Sequence, residues 1–291
     1  MCANAEENPA TLSPPRTTHF QVACGTVLGR EHALAGRNSQ DAYCCKQNEN
    51  GLVAVVCDGC SSGKHNEVGA KLGARILAEA LHRCLPKLDR AHSAELLESV
   101  RRYVLRRFET LTRTLGPGRV ANVETYFLFT ALGALIGPSR SLIFALGDGI
   151  IFLNGRQLAL PVYDNRPPYL CYGLIENALS GISAADLRFR VLAELPSAQI
   201  ATLAIGSDGA AKLAGEIPKL CDDDRIFTNP QTLTRRLSQL NREVRNIDWE
   251  ARRVDRRPGL FSDDATLVLV RNRSAPARRP APLPPPEGGL S

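Results

Sequence analysis

No stretch of this sequence reaches 18 uninterrupted apolar residues, so no transmembrane helix and no membrane partner are expected. The opening segment, Met1 to Arg16, holds two glutamates and three prolines but no apolar run, which argues against a secretory signal peptide. Nine cysteines without such a signal point to free thiols in a reducing compartment, the cytoplasm, rather than to a disulfide framework. Aromatics make up 5% of the chain and are not interleaved with the basic residues. The formal charge of +6 therefore reads as solvated helix faces (Arg101, Arg102, Arg106, Arg107) and a basic C-terminal stretch (Arg271, Arg273, Arg278, Arg279), and no nucleic-acid partner is expected. There is no phosphate-cradling P-loop, no Ser/His/Asp order and no internal repeat.

The 291 residues, 44% of them hydrophobic, suit one large domain or two small ones. Residues 1–17 read as a disordered lead-in, 18–271 as the folded domain and 272–291 as a disordered Pro-rich tail that serves as a spacer or docks a partner by polyproline recognition. The domain is organised around Leu52-Val-Ala-Val-Val-Cys57, an apolar run of buried-strand type that delivers Asp58 and Gly59 to its tip.

Before that run, Phe20 to Leu28 reads as a first strand, Gly29 to Asp41 as a polar loop and Ala42 to Gln47 as a short strand. After it, Asn66 is placed to cap a helix to about Leu85, with Val68, Leu72, Ile76 and Ala80 on one face and small residues (Gly69, Ala70, Gly73, Ala74) that allow close packing against whatever lies beneath. Ser93 opens a second helix to about Leu115, with Leu97, Val100, Val104, Phe108 and Leu111 at helical spacing. Val123 to Leu160 reads as an antiparallel meander broken at Gly137-Pro138-Ser139, Gly147-Asp148-Gly149 and Asn154-Gly155. Pro161 to Ile182 is irregular, and Leu187–Leu195 and Ile200–Ile205 are further strands. Gln231 to Val244 is expected as a helix, Asn246 to Gly259 as a loop or flap and Ala265 to Val270 as the last strand. Antiparallel strands with two inserted helices argue for an α+β fold.

Four aspartates sit at strand ends: Asp41, Asp58, Asp208 and Asp263. Carboxylates gathered at one sheet edge repel each other unless a cation neutralises them. An all-oxygen ligand set suits Mg²⁺ or Mn²⁺ rather than zinc, and two such ions would hold a bridging hydroxide for in-line attack on a phosphoryl group. Cys57-Asp-Gly-Cys60 is formally a Cys-x-x-Cys, but the first cysteine ends a strand instead of opening a helix. Adjacent Cys44 and Cys45 would point to opposite faces of their strand, which disfavours a zinc site.

Taken in order, His32…Gly36…Gln40-Asp41-Ala42, Asp58-Gly59…Gly63, Gly147-Asp148, Ser207-Asp208-Gly209 and Asp263-Asp264-Ala265-Thr266 resemble the motifs of the metal-dependent type 2C Ser/Thr protein phosphatases, the bacterial branch in particular. The resemblance spans about residues 20–271 and implies a four-layer α-β-β-α sandwich, two antiparallel sheets flanked by helices, with a two-metal site at one end. It implies that Asp58 bridges two Mn²⁺ or Mg²⁺ ions, that the Gly59 carbonyl binds one, and that Asp208 and Asp263 complete the other. Asp41 would orient or bind metal-bound water. Asp148 matches a position that holds a weaker third ion in some members, or else it is a plain turn residue.

Three departures stand out. Gln40 replaces a common glutamate, Arg37 lies one place from the usual phosphate-binding arginine, and Cys60 stands where some members carry a histidine. His65 is a substitute for that histidine or a solvated loop residue. The reading is a cytoplasmic, monomeric phosphatase acting on phosphoserine or phosphothreonine in a protein, either a Ser/Thr kinase or its target. The alternatives are a regulatory or binding protein on the same fold that has lost turnover, and a basic adaptor working through its tail.

Overall fold

The computed structural model describes residues 19–161, 163, 167–175 and 182–274; the expected lead-in and most of the expected tail lie outside them. The chain opens with β1 (Phe20–Val27), α1 (Arg30–Leu34), β2 (Asp41–Asn48) and β3 (Gly51–Gly59). It continues through α2 (Asn66–Cys84), α3 (Ser93–Thr114), α4 (Arg119–Tyr126), β4 (Phe129–Ile136), β5 (Arg140–Leu146), β6 (Ile150–Leu153) and β7 (Arg156–Gln157). The last third holds β8 (Arg190–Pro196), β9 (Thr202–Gly206), α5 (Ile217–Asp222), α6 (Asp224–Thr228), α7 (Thr232–Leu240), β10 (Val244–Asp248), β11 (Arg253–Arg257) and β12 (Ala265–Asn272).

One sheet runs β2-β3-β4-β5-β8 and the other β1-β12-β9-β6-β7, both antiparallel; β10 and β11 form a separate two-stranded ribbon. Strand β3 shows why the sheets stack. Its odd positions, Val53, Val55 and Cys57, pack under the α2 and α3 helices with Leu77, Leu81, Val104 and Phe108. Its even positions, Leu52, Ala54 and Val56, meet Ile205, Val268 and Val270 of the other sheet. A strand buried on both faces shows no polar alternation, which accounts for its unbroken apolar run. On the far side, Ala204, Leu267 and Leu269 of the second sheet are covered by Ile217, Leu220, Leu233 and Leu237 of α5 and α7. The result is four layers, α-β-β-α.

Several sequence expectations are corrected. The loop between the first two strands contains α1, and the expected flap at 246–259 is the ribbon β10–β11. The helix expected from Gln231 stops at Leu240, and the last strand runs on to Asn272, paired with Phe20. The meander begins only at Phe129, because 119–126 is helical, and it is split between the sheets. Gly147, at φ +95°, turns the corner from β5 in one sheet to β6 in the other, in a conformation that L side chains rarely adopt. Asn154-Gly155 forms the tight hairpin expected of it. Asn66 does not cap α2; it is the first helical residue, and its side chain bonds the Cys60 carbonyl (3.1 Å) and the Leu128 N–H (3.1 Å).

On α2 it is the small residues, expected to allow close packing, that meet the sheet. Val68 is 38% exposed, whereas Gly69, Ala70, Gly73 and Ala74 face the sheet. Small residues let the helix axis approach Phe127 and Phe129 closely. A Cβ on Gly69 would lie 2.5 Å from the Tyr126 carbonyl oxygen and 2.7 Å from the Phe127 Cα, both backbone atoms that cannot swing aside. Alanine in a helix gains roughly 0.5–1 kcal/mol over glycine, but forced overpacking costs about 1–3 kcal/mol, so the steric effect wins. Gly69→Ala is therefore expected to destabilise by about 1–2 kcal/mol in urea unfolding. Val68→Ala, on the exposed face, is expected to stay within about 0.5 kcal/mol of the parent. A stabilised Gly69→Ala protein would contradict this packing.

Candidate metal centre

Alternation along β3 carries past Val56 and turns Asp58 into the inter-sheet layer, at the end where the apolar filling stops. The β2–β3 register places Asp41 opposite Asp58, and β3–β4 pairing places Thr130 on its other side. Strand β9 obeys the same rule: Leu203 and Ile205 fill the layer, and Ser207 follows them, fully buried. The Ser207 hydroxyl donates to Asp41 Oδ2 at 2.6 Å and accepts the Thr266 N–H at 3.0 Å. Asp208 comes next, opening a short 3₁₀ turn to Leu213.

Strand β12 enters the same end through Asp263-Asp264. These neighbours have opposite fates. Asp264 is 2% exposed and accepts the N–H groups of Gly29 (2.7 Å) and Gln40 (2.6 Å), while the Asp263 side chain is 46% exposed. His32, on α1, lies with Nδ1 2.9 Å from Asp264 Oδ2 and 3.6 Å from Asp263 Oδ1, directed poorly for a hydrogen bond. His32, Asp263 and Asp264 have ligand atoms all within 4.8 Å of one another, a group of the size that holds a metal ion. Both Asp264 oxygens already accept backbone N–H groups, which marks Asp264 as an anchor for the loop ends and leaves Asp263 as the open carboxylate. Sequence reasoning assigned no role to Ser207, Asp264 or His32, although all three lie inside the quoted motifs.

The diversion of the Gln40 N–H matters for Gly59. The Gly59 N–H bonds the Gln40 carbonyl at 3.1 Å, and regular antiparallel pairing would return the Gln40 N–H to the Gly59 carbonyl. That N–H goes to Asp264 instead, so the Gly59 carbonyl loses its ladder donor at the edge of the acidic group. The Asp148 side chain hangs from the corner between β5 and β6, close enough to Asp208 for like-charge repulsion to raise its carboxyl pKa, after burial as the larger cause.

Electrostatics bind the group together. Burial pushes the Asp58 carboxyl well above the usual range, and the charges of Asp41, Asp208 and Asp148 push it further. Asp41 is raised to about 7, by burial first, against the lowering effect of the Ser207 bond. Asp263 is raised by burial, with Asp208 adding to it. The hydroxyl of Thr130, beside Asp58, is buried without a hydrogen-bond partner. Crowded carboxylates, a diverted carbonyl and an orphaned hydroxyl form an oxygen-only donor set that fits hard divalent cations.

The remaining candidates fall as follows. Arg37 is exposed, and its guanidinium donates to the Ser61 carbonyl at 2.8 Å, on the loop that follows Gly59. The Gln40 side chain is buried, with its amide 3.4 Å from the Cys60 carbonyl and its own oxygen unpartnered. Cys60 Sγ lies 3.1 Å from Ser62 Oγ. His65 is a half-solvated loop residue stacked on Tyr126, with ring centroids 5.5 Å apart. Cys57 is fully buried under α2, and burial pushes its thiol well above the ordinary value, which makes it inert rather than redox-active. Cys44 and Cys45 do point apart: Cys44 packs toward the helices, and Cys45 lies between the sheets with its sulfur 3.6 Å from that of Cys24.

Solved structures share this architecture. A bacterial serine phosphatase superposes with a TM-score of 0.52 at 15% identity, over 87% of this chain and 98% of that one. PppA, described as a key regulatory component of T6SS in Pseudomonas aeruginosa, superposes with a TM-score of 0.50 at 14% identity, over 87% and 97%. Such identities speak to the fold alone. No curated protein matches the sequence. The family model for protein phosphatase 2C matches residues 28–247, well over half of the chain, and this protein belongs to that family.

Proposed function

We propose that the chain hydrolyses phosphoserine and phosphothreonine in proteins with two Mn²⁺ or Mg²⁺ ions. Asp58 and the Gly59 carbonyl, with Asp208 and Asp263, would hold them, and Asp148 would hold a weaker third. The observation that carries this reading is the gathering of Asp41, Asp58, Asp148 and Asp208 as mutually repelling carboxylates at one end of the inter-sheet layer. When bound, the ions supply a nucleophile from water at neutral pH and positive charge for the phosphoryl oxygens. Asp41, fixed by the Ser207 hydroxyl, is set to orient attacking water. Arg37, at the exposed rim, is set to hold the substrate phosphate.

A binding-only role needs none of these carboxylates, and the complete set supports turnover. Eight free cysteines among the described residues support a reducing, cytoplasmic setting, and no helix of the described residues is long and apolar enough to cross a membrane. The partner in this reading is a phosphorylated Ser/Thr kinase or its target, met by a monomer.

Hydrolysis of an aryl phosphate should disappear in EDTA and return with Mn²⁺ or Mg²⁺. Asp58→Asn should lower kcat at least about 10²-fold, ~2.7 kcal/mol of transition-state stabilisation, while Asp148→Asn loses far less. Full activity after thorough chelation would overturn the proposal, and equal losses at both positions would move Asp148 into the principal pair.

The raised carboxyls set a pH signature with the metal removed. A carboxyl raised in the folded state adds stability that is complete below its unfolded value near 3.8 and is lost as pH rises through the folded value, about 7 for Asp41. The Tm in EDTA should therefore fall across this window, less steeply in Asp58→Asn, and Mn²⁺ should raise it more at about pH 7.5 than at about pH 5. A Mn²⁺ shift independent of pH would refute the picture of repelling carboxylates.

For Arg37, charge-assisted hydrogen bonds to phosphate are worth roughly 1.5–3 kcal/mol each. Arg37→Ala should raise KM for a phosphopeptide by about 10- to 100-fold, with only partial recovery in Arg37→Lys, which lacks the planar fork. An unchanged KM would reduce Arg37 to a brace for the Ser61 loop.

A further inference from the structure

The ribbon β10–β11 belongs to neither sheet, and every residue of β11 is exposed. An isolated two-stranded ribbon is marginal in water and gains from a third strand or a covering surface. Its register puts Arg245 opposite Arg256 and Ile247 opposite Val254, all on one face, with Trp249 in the turn beyond and 81% exposed. Like charges directly opposite each other destabilise a strand pair. Glu243 offsets one of them, with its carboxylate 2.6 Å from Arg245 Nε, so the face keeps a net positive charge beside an exposed apolar pair. The opposite face is balanced, with two arginines and two aspartates: Arg253 pairs with Asp255 at 3.0 Å and stands opposite Asp248, while Arg257 lies at the other end opposite Val244. One face therefore combines arginine, aliphatic and tryptophan side chains, the types enriched at the energetic centres of interfaces.

The base of the ribbon is tied to the acidic end of the sandwich. Asn241 donates to the Leu28 carbonyl at 2.8 Å and accepts the Phe261 N–H at 3.0 Å. The Leu260 N–H bonds the Leu240 carbonyl, and the Arg30 and Glu31 N–H groups bond the Phe261 and Ser262 carbonyls. Asp263 is the next residue. A five-residue strand reaches about 17 Å, so a chain lying along the ribbon ends beside the metal centre.

We propose that this face docks an extended acidic segment of the phosphoprotein substrate, several residues from its phosphorylated side chain, with an apolar residue of that segment on Ile247, Val254 and Trp249. Charge complementarity selects the occupant: the face is cationic, and the phosphorylated chain is anionic. The proposal rests on the phosphatase reading, and the test separates the two.

Trp249 is the sole tryptophan of the chain, so its fluorescence reports on this face directly. The metal-loaded protein is titrated with three probes: a phosphoserine peptide bearing an Asp/Glu run and one leucine, the same peptide with Asn/Gln in place of the run, and a duplex DNA oligonucleotide. Saturable quenching by the acidic peptide is expected, at least about tenfold tighter than by the neutralised one and weakened by salt. The double variant Arg245→Glu/Arg256→Glu should lose that binding. It should also lower kcat/KM for the acidic phosphopeptide about tenfold while leaving aryl phosphate hydrolysis unchanged. Equal binding of both peptides, or no quenching, overturns the proposal. Tighter binding of DNA assigns the face to nucleic acid, and a spectrum that changes with protein concentration alone assigns it to a second copy; each overturns it too. A protein that hydrolyses neither compound yet still binds the acidic peptide through Trp249 would refute the phosphatase reading and leave the docking face standing.

Discussion

The arrangement depends on one buried carboxylate. Asp264 sits at 2% exposure, with His32 Nδ1 2.9 Å away but not hydrogen-bonded, because two backbone N–H groups, Gly29 and Gln40, point at its oxygens at 2.7 and 2.6 Å. A buried ionised group is tolerable only when such hydrogen bonds replace its hydration. Those two bonds join the start of β12 to the end of β1 and the start of β2, so they pin both sheets together at one end. They also hold Asp41 in register with Asp58, free the Gly59 carbonyl from its ladder donor and set α1 so that His32 lies against the carboxylate.

Around that anchor the sandwich supplies two environments a few ångströms apart. Behind it lies a dry layer of Leu52, Ala54, Val56, Ile205, Val268 and Val270. In front, Asp41, Asp58, Asp148 and Asp208 crowd each other with too few donors to satisfy them. Apolar packing on both sides of β3 provides the rigidity, and it holds the repelling carboxyls in place in the absence of a cation. Burial first, and neighbouring carboxylates second, hold the Asp41, Asp58 and Asp148 carboxyls above their usual range, and relieving that repulsion is what a divalent cation would contribute to stability.

The ribbon beyond this core follows a different logic. It has almost no buried surface of its own and is held at its base by Asn241 and the chain around Phe261. Its position follows from the same end of the sandwich that positions the carboxylates.

Much of this was legible in the residues themselves. The unbroken run from Leu52 to Cys57 demands apolar matter on both faces, which implies stacked sheets and covering helices, and the 3.6-residue spacing of Leu97, Val100, Val104 and Phe108 marks the buried face of α3. The aspartates at strand tips announced where charge would gather. What the sequence could not decide was contact. Asp263 and Asp264 are adjacent and chemically identical, and only the distant Gly29 and Gln40 N–H groups make one an anchor and leave the other open. On α2 the small residues Gly69 and Gly73 were legible as permitting close approach, but only the folded chain leaves the larger Val68 of the apolar stripe outside that contact, since hydrophobic periodicity detects size and polarity, not distance. The β10–β11 ribbon had no alternation to betray it, since both of its faces meet water. Local pattern follows from burial of a segment's own side chains, whereas the partners of a buried charge are chosen by residues far away in sequence, and only the folded chain brings them together.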